Sequence, residues 1–248
     1  MLEQPGTSIN KYISDSGFCS RREADKLIEQ GRVMIGKNVA RKGNRVLEND
    51  IVKVDGQLVK KKVTAVYLAL NKPRGITCTT DRKDPTNIID FMHYKSRIFP
   101  VGRLDKLSEG LIFLTNDGDI VNKILRAGNG HEKEYVVQTD LPITPDFIKK
   151  MSSGVKILGT VTSKCMVRQE GSKQFRIILT QGLNRQIRRM CEALGYRVTA
   201  LKRVRIMNIS LSNLAPGKWR YFTPAEISEI NRLIATSSKT AGDDDMGE

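Results

Sequence analysis

The first sixty residues change from helical to alternating hydrophobic spacing. Apolar residues recur at helical intervals in 8–16, and a capping-box pattern begins a second apolar stripe in 20–31. Apolar and polar residues then alternate in 33–39 and again in 50–56, as expected of short strands. The pattern predicts two short helices followed by a small sheet.

The rest of the chain alternates between strand and helix patterns. The continuous apolar run 111–114, closed by a turn at 116–118, predicts a buried strand, whereas 76–100 shows little periodicity. Further strands are predicted at 65–70, 133–139, 160–167, 174–179 and 198–211, and helices at 119–127, from Thr144 onward, at 181–191 and at 223–234. This order of strands and helices is compatible with an α+β fold.

Composition divides the chain into three parts. The lysine run Lys60-Lys61-Lys62 has the character of a solvated linker, and the last twelve residues are polar and end with an acidic stretch. We therefore predict a small N-terminal module at 1–62, a larger domain at 63–236 and a disordered tail at 237–248.

The net charge of the chain indicates which class of partner it binds. The chain of 248 residues carries 42 Lys and Arg against 27 Asp and Glu, a net charge of +15. A polyanion is the natural partner, because cations that neutralise phosphates release condensed counterions. No stretch approaches the roughly 18 apolar residues of a membrane span, and no basic amphipathic helix with an aromatic face is present. We therefore expect a nucleic acid and no membrane partner.

The cysteines and histidines argue against several other chemistries. The four cysteines have no C-x-x-C spacing, and the N-terminus lacks the hydrophobic region of a signal peptide, so we expect a reduced, cytoplasmic protein. The two histidines, His93 and His131, do not cluster with other ligands, which argues against a metal site. No P-loop or dinucleotide fingerprint supports a nucleotide cofactor.

Basic residues crowd the exposed positions of the predicted N-terminal helices and strands. A solvated surface is the simpler interpretation, but phosphate contact explains their number better. These residues are Lys11, Arg21, Arg22, Lys26, Arg32, Lys37, Arg41, Lys42 and Arg45. The pattern through 9–13, 20–25 and 31–33 resembles the alpha-L RNA-binding module of a small-subunit ribosomal protein, which is also attached to several RNA-modifying enzymes. The resemblance implies that this module grips structured RNA.

The stretch 102–110 places Asp105 on a loop between two glycines, directly before the predicted strand at 111–114. In one interpretation Asp105 forms a turn or a surface ion pair, as most aspartates do. In the other it is a carboxylate at the mouth of a cleft, kept ionised by Arg103 or by an arginine distant in sequence.

The predicted helix 181–191 carries three arginines opposite its apolar face. A solvated or phosphate-binding surface accounts for Arg185 and Arg189. Arg188 is adjacent to the apolar face, so it is the one expected to turn inward. A buried arginine beside a catalytic aspartate would hold that aspartate ionised through a bidentate bond.

Tyr135 lies on the predicted strand 133–139, where an aromatic residue usually packs in a core. Its position after a basic, glycine-rich loop suggests another use, since an aromatic face can stack on a base that an enzyme has extruded from RNA. Both interpretations stay open on the residues alone.

Four linked motifs resemble the rRNA pseudouridine synthase family typified by RsuA. They are Asn-Lys-Pro-Arg-Gly at 71–75, the stretch 102–118, Lys-Glu-Tyr at 133–135 and the stretch 182–190. Their order and spacing hold over almost the entire chain, and within the family the chain is most similar to a synthase of the large ribosomal subunit. The resemblance implies a mixed, mainly antiparallel sheet flanked by helices, a catalytic loop in a central cleft, and the small basic module attached by a linker.

The resemblance also implies an isomerase that breaks the N-glycosidic bond of a chosen uridine, turns the uracil and rejoins it through carbon 5, with no cofactor. Carried over by position, Asp105 is the essential carboxylate, Tyr135 the active-site tyrosine and Arg188 the basic partner of the aspartate. The carboxylate can attack the sugar or the base, or remove a ribose proton; the sequence does not choose. Lys72 and Arg103 are expected to contact phosphates. The expected partner is ribosomal RNA, for which 23S rRNA is the favoured choice, or another structured RNA.

Two other classes of function remain to be weighed. A non-catalytic RNA-binding or assembly factor explains the charge but gives no reason for Asp105 and the arginine helix. A nuclease or glycosidase could use Asp105 with Glu109 as a pair of carboxylates. A nuclease would need more acidic metal ligands, however, and a glycosidase would cleave the base without rejoining it. Product analysis separates these classes.

Overall fold

The structure, a computed structural model, describes three stretches of the chain: 6–60, 64–125 and 129–237. Contacts within the chain define two compact units. The first is Met1–Ala65 with Lys95–Arg97, and the second is Val66–Tyr94 with Ile98–Glu248.

Two predicted features fall largely outside the described residues. The boundary between the module at 1–62 and the domain at 63–236 lies on 61–63, and the predicted disordered tail lies on 238–248 apart from its first residue. We keep both as proposals.

The described residues of the first unit form two helices and six short strands. The helices are α1 (Ile9–Asp15) and α2 (Arg21–Glu29), and the strands are β1 (Thr7–Ser8), β2 (Val33–Ile35), β3 (Asn38–Val39), β4 (Arg45–Val46), β5 (Val52–Val54) and β6 (Gln57–Leu58). The capping box predicted for α2 is present: Glu23 N–H donates to Ser20 Oγ at 3.1 Å, and Ser20 N–H donates to Glu23 Oε2 at 2.8 Å. Buried apolar residues of both helices and of β2, β4 and β5 form one core.

The part of the second unit that the structure describes is built on a nine-stranded sheet. Its strands are β7 (Tyr67–Lys72), β8 (Phe99–Val101), β9 (Glu109–Thr115), β10 (Lys133–Thr139), β13 (Met166–Gly171), β14 (Gln174–Leu179), β15 (Val198–Ile206), β16 (Ile209–Ser210) and β17 (Trp219–Tyr221); a separate small hairpin joins β11 (Lys156–Ile157) to β12 (Thr160–Val161). The sheet order is β13-β14-β10-β15-β9-β7-β17, with β16 paired to β15 and β8 to β9. Among the described residues its ladders are antiparallel except for the parallel contact between β9 and β15.

Helices cover both faces of this sheet. They are α3 (Ile88–Met92), α4 (Gly118–Leu125), α5 (Pro145–Ser153), α6 (Gln186–Ala193) and α7 (Pro224–Leu233). Strand β9 shows why: Leu111 and Phe113 share a core with α4 and α7, whereas Ile112 and Leu114 share another with α3. A strand buried on both faces reads as a continuous apolar run, as this one does in the sequence. The predicted α+β fold with a mixed, mainly antiparallel sheet is thus confirmed.

Two strand predictions were wrong, and a stretch for which no element was predicted is structured. The stretch 76–100, which has little periodicity, contains α3 and the beginning of β8, two elements too short for a periodic pattern to reveal. The strand predicted at 160–167 is divided between β12 and β13, and the strand predicted at 198–211 is a hairpin that turns at Met207, whose φ is 50°. Of the helix predicted at 119–127, the last two residues lie outside the described stretches.

None of the helices in the described part of the chain combines the length and apolar character that crossing a membrane requires.

The sequence suggests that Gly110 bounds the loop that carries Asp105. In the structure, Gly110 instead lies inside β9. Its φ is +106°, and a Cβ built there would lie 2.2 Å from the backbone oxygen of Arg203 on β15. Only a residue without a Cβ lets the two strands approach so closely. Gly110 therefore permits the parallel pairing of β9 with β15.

We expect Gly110→Ala to lower the free energy of unfolding by roughly 3 kcal/mol or more, because the new methyl group strains the backbone and collides with a neighbouring strand. Urea unfolding measures the loss. The matched control is Gly171→Ala, where φ is not positive and the new Cβ meets Gln174 Cβ at an ordinary 3.6 Å. Equal losses in the two variants would contradict the close approach at Gly110.

Candidate active site

A cleft of about 930 Å³ opens in the second unit beside β9, β10 and β15. Its walls come from the loop between β8 and β9, from the cleft-facing residues of β10 and β15, and from the segment that leads into α6. The predicted catalytic residues Asp105, Tyr135 and Arg188 all line it. Three residues far apart in sequence are thus brought together by the fold.

Asp105 sits on a loop that backbone hydrogen bonds fasten at several points. Ser108 N–H donates to Asp105 O at 2.9 Å, which closes a turn, and Gly75 N–H donates to Lys106 O at 2.8 Å. Leu104 N–H lies 3.4 Å from Cys78 Sγ. The Asp105 side chain is 40% exposed, so the carboxylate reaches the cleft from a fixed backbone.

Arg188 projects from α6 and is buried, with 10% of its side chain exposed. Its Nε lies 3.4 Å from Asp105 Oδ2. Its other nitrogens are held elsewhere: Nη2 donates to Ser108 Oγ at 3.1 Å and Nη1 to Val198 O at 3.3 Å. Arg188 does turn inward toward Asp105, but the expected bidentate bond is not formed, because two of its three nitrogens orient it against other groups.

Ser108 is a site residue that the sequence reasoning missed. Its side chain is buried, and its hydroxyl accepts from Arg188 while its backbone closes the Asp105 turn. It therefore ties the arginine to the loop that carries the aspartate. Its place three residues after Asp105, inside the same motif, was the available signal.

Tyr135 lies on β10, half-buried at the cleft, with Arg203 of β15 opposite it. The Arg203 guanidinium carbon is 6.0 Å from the centroid of the Tyr135 ring, at the outer limit of a cation–π contact. Arg203 is itself buried and donates through Nε to Leu111 O at 2.7 Å. It thus links β9, β15 and the tyrosine.

Two cations in the cleft wall, Lys133 and Arg203, are buried, although the strand predicted at 198–211 is expected to expose Arg203. Arg203 Nη2 has no hydrogen-bond partner among the described residues. Lys133 donates to His131 O at 3.1 Å, and burial, with the nearby charge of Arg203, lowers the pKa of Lys133 to about 8. The quoted motif at 133–135 contained this lysine, but only the fold reveals that it is buried.

The predicted phosphate contact at Lys72 is wrong. Lys72 is the last residue of β7 and is fully buried, and its ammonium donates to Pro73 O and to Ile76 O, each at 2.9 Å. Burial lowers the pKa of Lys72. Lys72 fastens the turn that follows β7 and presents no surface to RNA.

The other predicted phosphate-binding residues of the second unit differ in position. Arg103 and Arg185 are exposed and line the cleft. Arg189 instead folds back on its own segment, where it donates to Asn184 O at 3.1 Å and to Asn184 Oδ1 at 3.3 Å. The first two remain candidates for RNA contact at the cleft.

In the first unit, Arg21, Arg22 and Lys26 of α2 are exposed. Lys11 lies 2.7 Å from Asp15, and Arg32 binds Asp55 through two nitrogens, at 2.8 and 2.6 Å. The charges of Lys11 and Arg32 are therefore partly neutralised within the protein, and α2 carries the stronger candidates for phosphate contact. The described residues contain no group of three or more His, Cys, Asp or Glu side chains that could hold a metal ion.

The pKa of Lys133 predicts a distinctive pH dependence. A lysine whose folded pKa is lowered destabilises the fold where it is charged, and this cost is relieved as pH rises from its folded toward its unfolded pKa. Relative to Lys133→Met, the wild-type free energy of unfolding should therefore rise by about 2 kcal/mol between about pH 7 and about pH 9.5.

Urea unfolding of both proteins across this range measures the difference, and Lys149→Met, on the exposed surface of α5, is the control. A constant difference between wild type and Lys133→Met would show that Lys133 is not perturbed.

Comparison with known proteins agrees with this geometry. A family model described as RNA pseudouridylate synthase matches residues 66–193, and an S4 domain model matches residues 8–52. A structure described as "Crystal structure of pseudouridylate synthase" aligns with a TM-score of 0.66 and 26% sequence identity, covering 92% of this chain and 100% of that one.

Curated relatives extend the similarity over most of the chain. The dual-specificity RNA pseudouridine synthase RluF of Salmonella typhi is 57% identical over 97% of this chain and 84% of its own length, and that of Escherichia coli (strain K12) is 56% identical over 96% and 83%. The ribosomal large subunit pseudouridine synthase B of Bacillus subtilis (strain 168) is 34% identical over 94% of this chain and 98% of its own length. The cleft with its aspartate, arginine and tyrosine therefore lies in an RNA pseudouridine synthase, and the chain belongs to the RsuA-type family of these enzymes.

Proposed function

We propose that this protein converts a specific uridine of 23S ribosomal RNA into pseudouridine and that Asp105 is its catalytic carboxylate. The observation that carries the proposal is the convergence of Asp105, Arg188 and Tyr135 on one cleft, with Arg188 Nε 3.4 Å from Asp105 Oδ2. The choice of large-subunit RNA is supported by the Bacillus subtilis relative, whose name specifies that subunit.

The reaction exchanges one bond to the sugar for another. The bond from the ribose C1′ to N1 of uracil breaks, a bond from C1′ to C5 forms, and the C5 hydrogen leaves as a proton while N1 gains one. A carboxylate can begin this exchange by attacking the sugar or the base or by removing a ribose proton, and each route needs its ionised form. Asp105 is partly exposed in the cleft, so it can reach a bound nucleotide.

Arg188 acts on Asp105 electrostatically. The positive charge of the buried Arg188 lies within 4 Å of the Asp105 carboxylate and attracts it, and the partial exposure of Asp105 to water moderates this attraction. Because Ser108 and Val198 hold the guanidinium, that charge stays in place while Asp105 reacts.

Tyr135 and the cleft retain the uracil after the C1′–N1 bond breaks and before the C1′–C5 bond forms. A detached base that escaped to solvent would leave a damaged RNA, so the site must hold it while it turns. Tyr135 offers a half-buried ring on which an extruded uracil can stack. A cleft of about 930 Å³ has room for a nucleotide to turn.

Most of the RNA-binding contacts lie outside the catalytic residues. We assign this role to the unit that contains the S4 match, through Arg21, Arg22 and Lys26, and to Arg103 and Arg185 at the cleft. The four cysteines are free, as suits the reducing cytoplasm, where we place the protein.

The test of Asp105 is tritium release from 23S rRNA labelled at C5 of uridine. Joining the sugar to C5 must expel that hydrogen, so release reports isomerisation directly. We expect Asp105→Asn to reduce the rate by on the order of a thousandfold or more, because the amide cannot serve as an ionised carboxylate.

The control is Asp146→Asn, which removes an exposed carboxylate on α5 and should retain full activity. A wild-type protein that releases tritium together with an equally active Asp105→Asn variant would overturn the assignment of Asp105. Release from other RNA but not from 23S rRNA would overturn the choice of substrate.

Substitution of Arg21, Arg22 and Lys26 by alanine should weaken binding to 23S rRNA and reduce the slope of log K against log salt by about two to three, because up to three phosphate contacts are lost. Filter binding over a series of salt concentrations measures both. The control removes the same charge from the second unit, with alanine at Lys149, Lys150 and Lys156, all exposed. An equal change in slope for both triple variants would show that the charge of α2 has no special part in binding.

A further inference from the structure

Three aromatic side chains form a cluster at the margin of the nine-stranded sheet, which we call the aromatic edge: Tyr94, Trp219 and Tyr221. Trp219 and Tyr221 alternate along β17, the terminal strand in the sheet order, and so project from the same face of it. Their ring centroids are 5.6 Å apart, and those of Tyr94 and Trp219 are 5.7 Å apart. The hydroxyls of Tyr94 and Tyr221 are hydrogen-bonded at 3.1 Å.

Two rings of the aromatic edge are exposed, unlike the aromatic contacts of the core, and the third, Tyr94, is half-buried. Trp219 is 36% and Tyr221 52% exposed, whereas Phe113 and Phe222, whose rings meet at 4.8 Å, are buried. The rings of the aromatic edge meet edge to face, at interplanar angles of 71° to 84°, so they do not cover one another by parallel stacking. Flat apolar surface is thus left open to a ligand.

Arg220, which lies between Trp219 and Tyr221 on β17, has different neighbours. Arg220 binds both carboxylate oxygens of Glu226, each at 2.7 Å, and so fastens the strand to the beginning of α7. Glu226 in turn caps that helix with Thr223. One face of β17 therefore fastens the strand to α7, while the other contacts Tyr94 and leaves part of the Trp219 and Tyr221 rings exposed.

We propose that the aromatic edge is a second RNA contact, on which an unpaired base of the substrate stacks outside the catalytic cleft. Every base has a π-face, and proteins that bind unpaired RNA combine aromatic rings with nearby positive charge. Lys218 is exposed directly before Trp219 and can meet the adjoining phosphate. The proposal needs only an RNA substrate, and holds whichever uridine is modified.

Charge favours RNA over a second copy of the protein as the occupant. The net charge of +15 repels another copy and attracts a polyanion. The phenol hydroxyls and the indole N–H also give the cluster a polar rim, which suits a base with donors and acceptors at its edge.

The protein itself contains a reporter for this contact, because Trp219 is the only tryptophan in the sequence. Tryptophan emission of the full chain is measured during titration with three probes: a single-stranded RNA of about ten nucleotides, a duplex of equal length, and inorganic polyphosphate. Stacking requires that the single strand quench the emission strongly, and that the duplex and polyphosphate, which offer charge without unpaired bases, quench it weakly.

Substitution separates stacking from a change in fold. We expect Trp219→Leu to weaken binding of the single strand by about five- to a hundredfold, and Trp219→Phe, which keeps a ring, to retain most of the affinity, both measured by fluorescence anisotropy of a labelled RNA. Loss of affinity in both variants would overturn the proposal, since it would indicate a structural role for the indole.

Three further results would also overturn it. One is unchanged emission on adding the single strand, and another is equal quenching by polyphosphate. The third is an emission shift that depends on protein concentration without RNA, which would assign the surface to a second copy. None of these results bears on tritium release, which depends on the cleft, so this proposal and the proposed function can fail separately.

Discussion

The parallel contact between β9 and β15 is the constraint on which the site depends. It joins β7, β9 and β17 to the strands β10, β13, β14 and β15, through the pairing of Gly110 with Arg203. The loop that leads into β9 carries Asp105, and β15 places Arg203 opposite Tyr135 on β10. A side chain at 110 would collide with the Arg203 backbone and strain this pairing, which brings the strands that carry the aspartate loop and the tyrosine into one sheet.

The cations on the two faces of β10 have different partners. On one face, Glu134 binds both Arg176 and Arg205, so the cations there are paired. On the other, Lys133 is buried beside Arg203 with a backbone carbonyl as its partner. Unpaired buried charge destabilises a fold, so its presence in the cleft wall calls for another explanation than stability. Under the proposed function, an anionic RNA substrate in the cleft would supply the missing negative charge.

Local signals in the sequence were sufficient for some elements and not for others. The capping boxes of α2 and α7 predict where both helices begin, because the residues that form each cap lie within four positions of one another. The burial of Lys72 has no local signal, since the side chain is enclosed only when β7 packs into the sheet. The same holds for Gly110, whose neighbour Arg203 is more than ninety residues away. The motifs identified the Asp105 and Arg188 pair, but its geometry required the fold.

That geometry bears on how Asp105 can react. A bidentate pair with Arg188 would engage both carboxylate oxygens and hold them in the plane of the guanidinium. The closest approach is instead a single contact of 3.4 Å from Nε to Oδ2, longer than a charge-assisted hydrogen bond of about 2.8 Å. Ser108 and Val198 occupy the other nitrogens, so Arg188 is fixed while Asp105 is not clamped. Arg188 therefore contributes its field without binding the carboxylate tightly, which leaves a carboxylate oxygen of Asp105 available to react, as its proposed role requires.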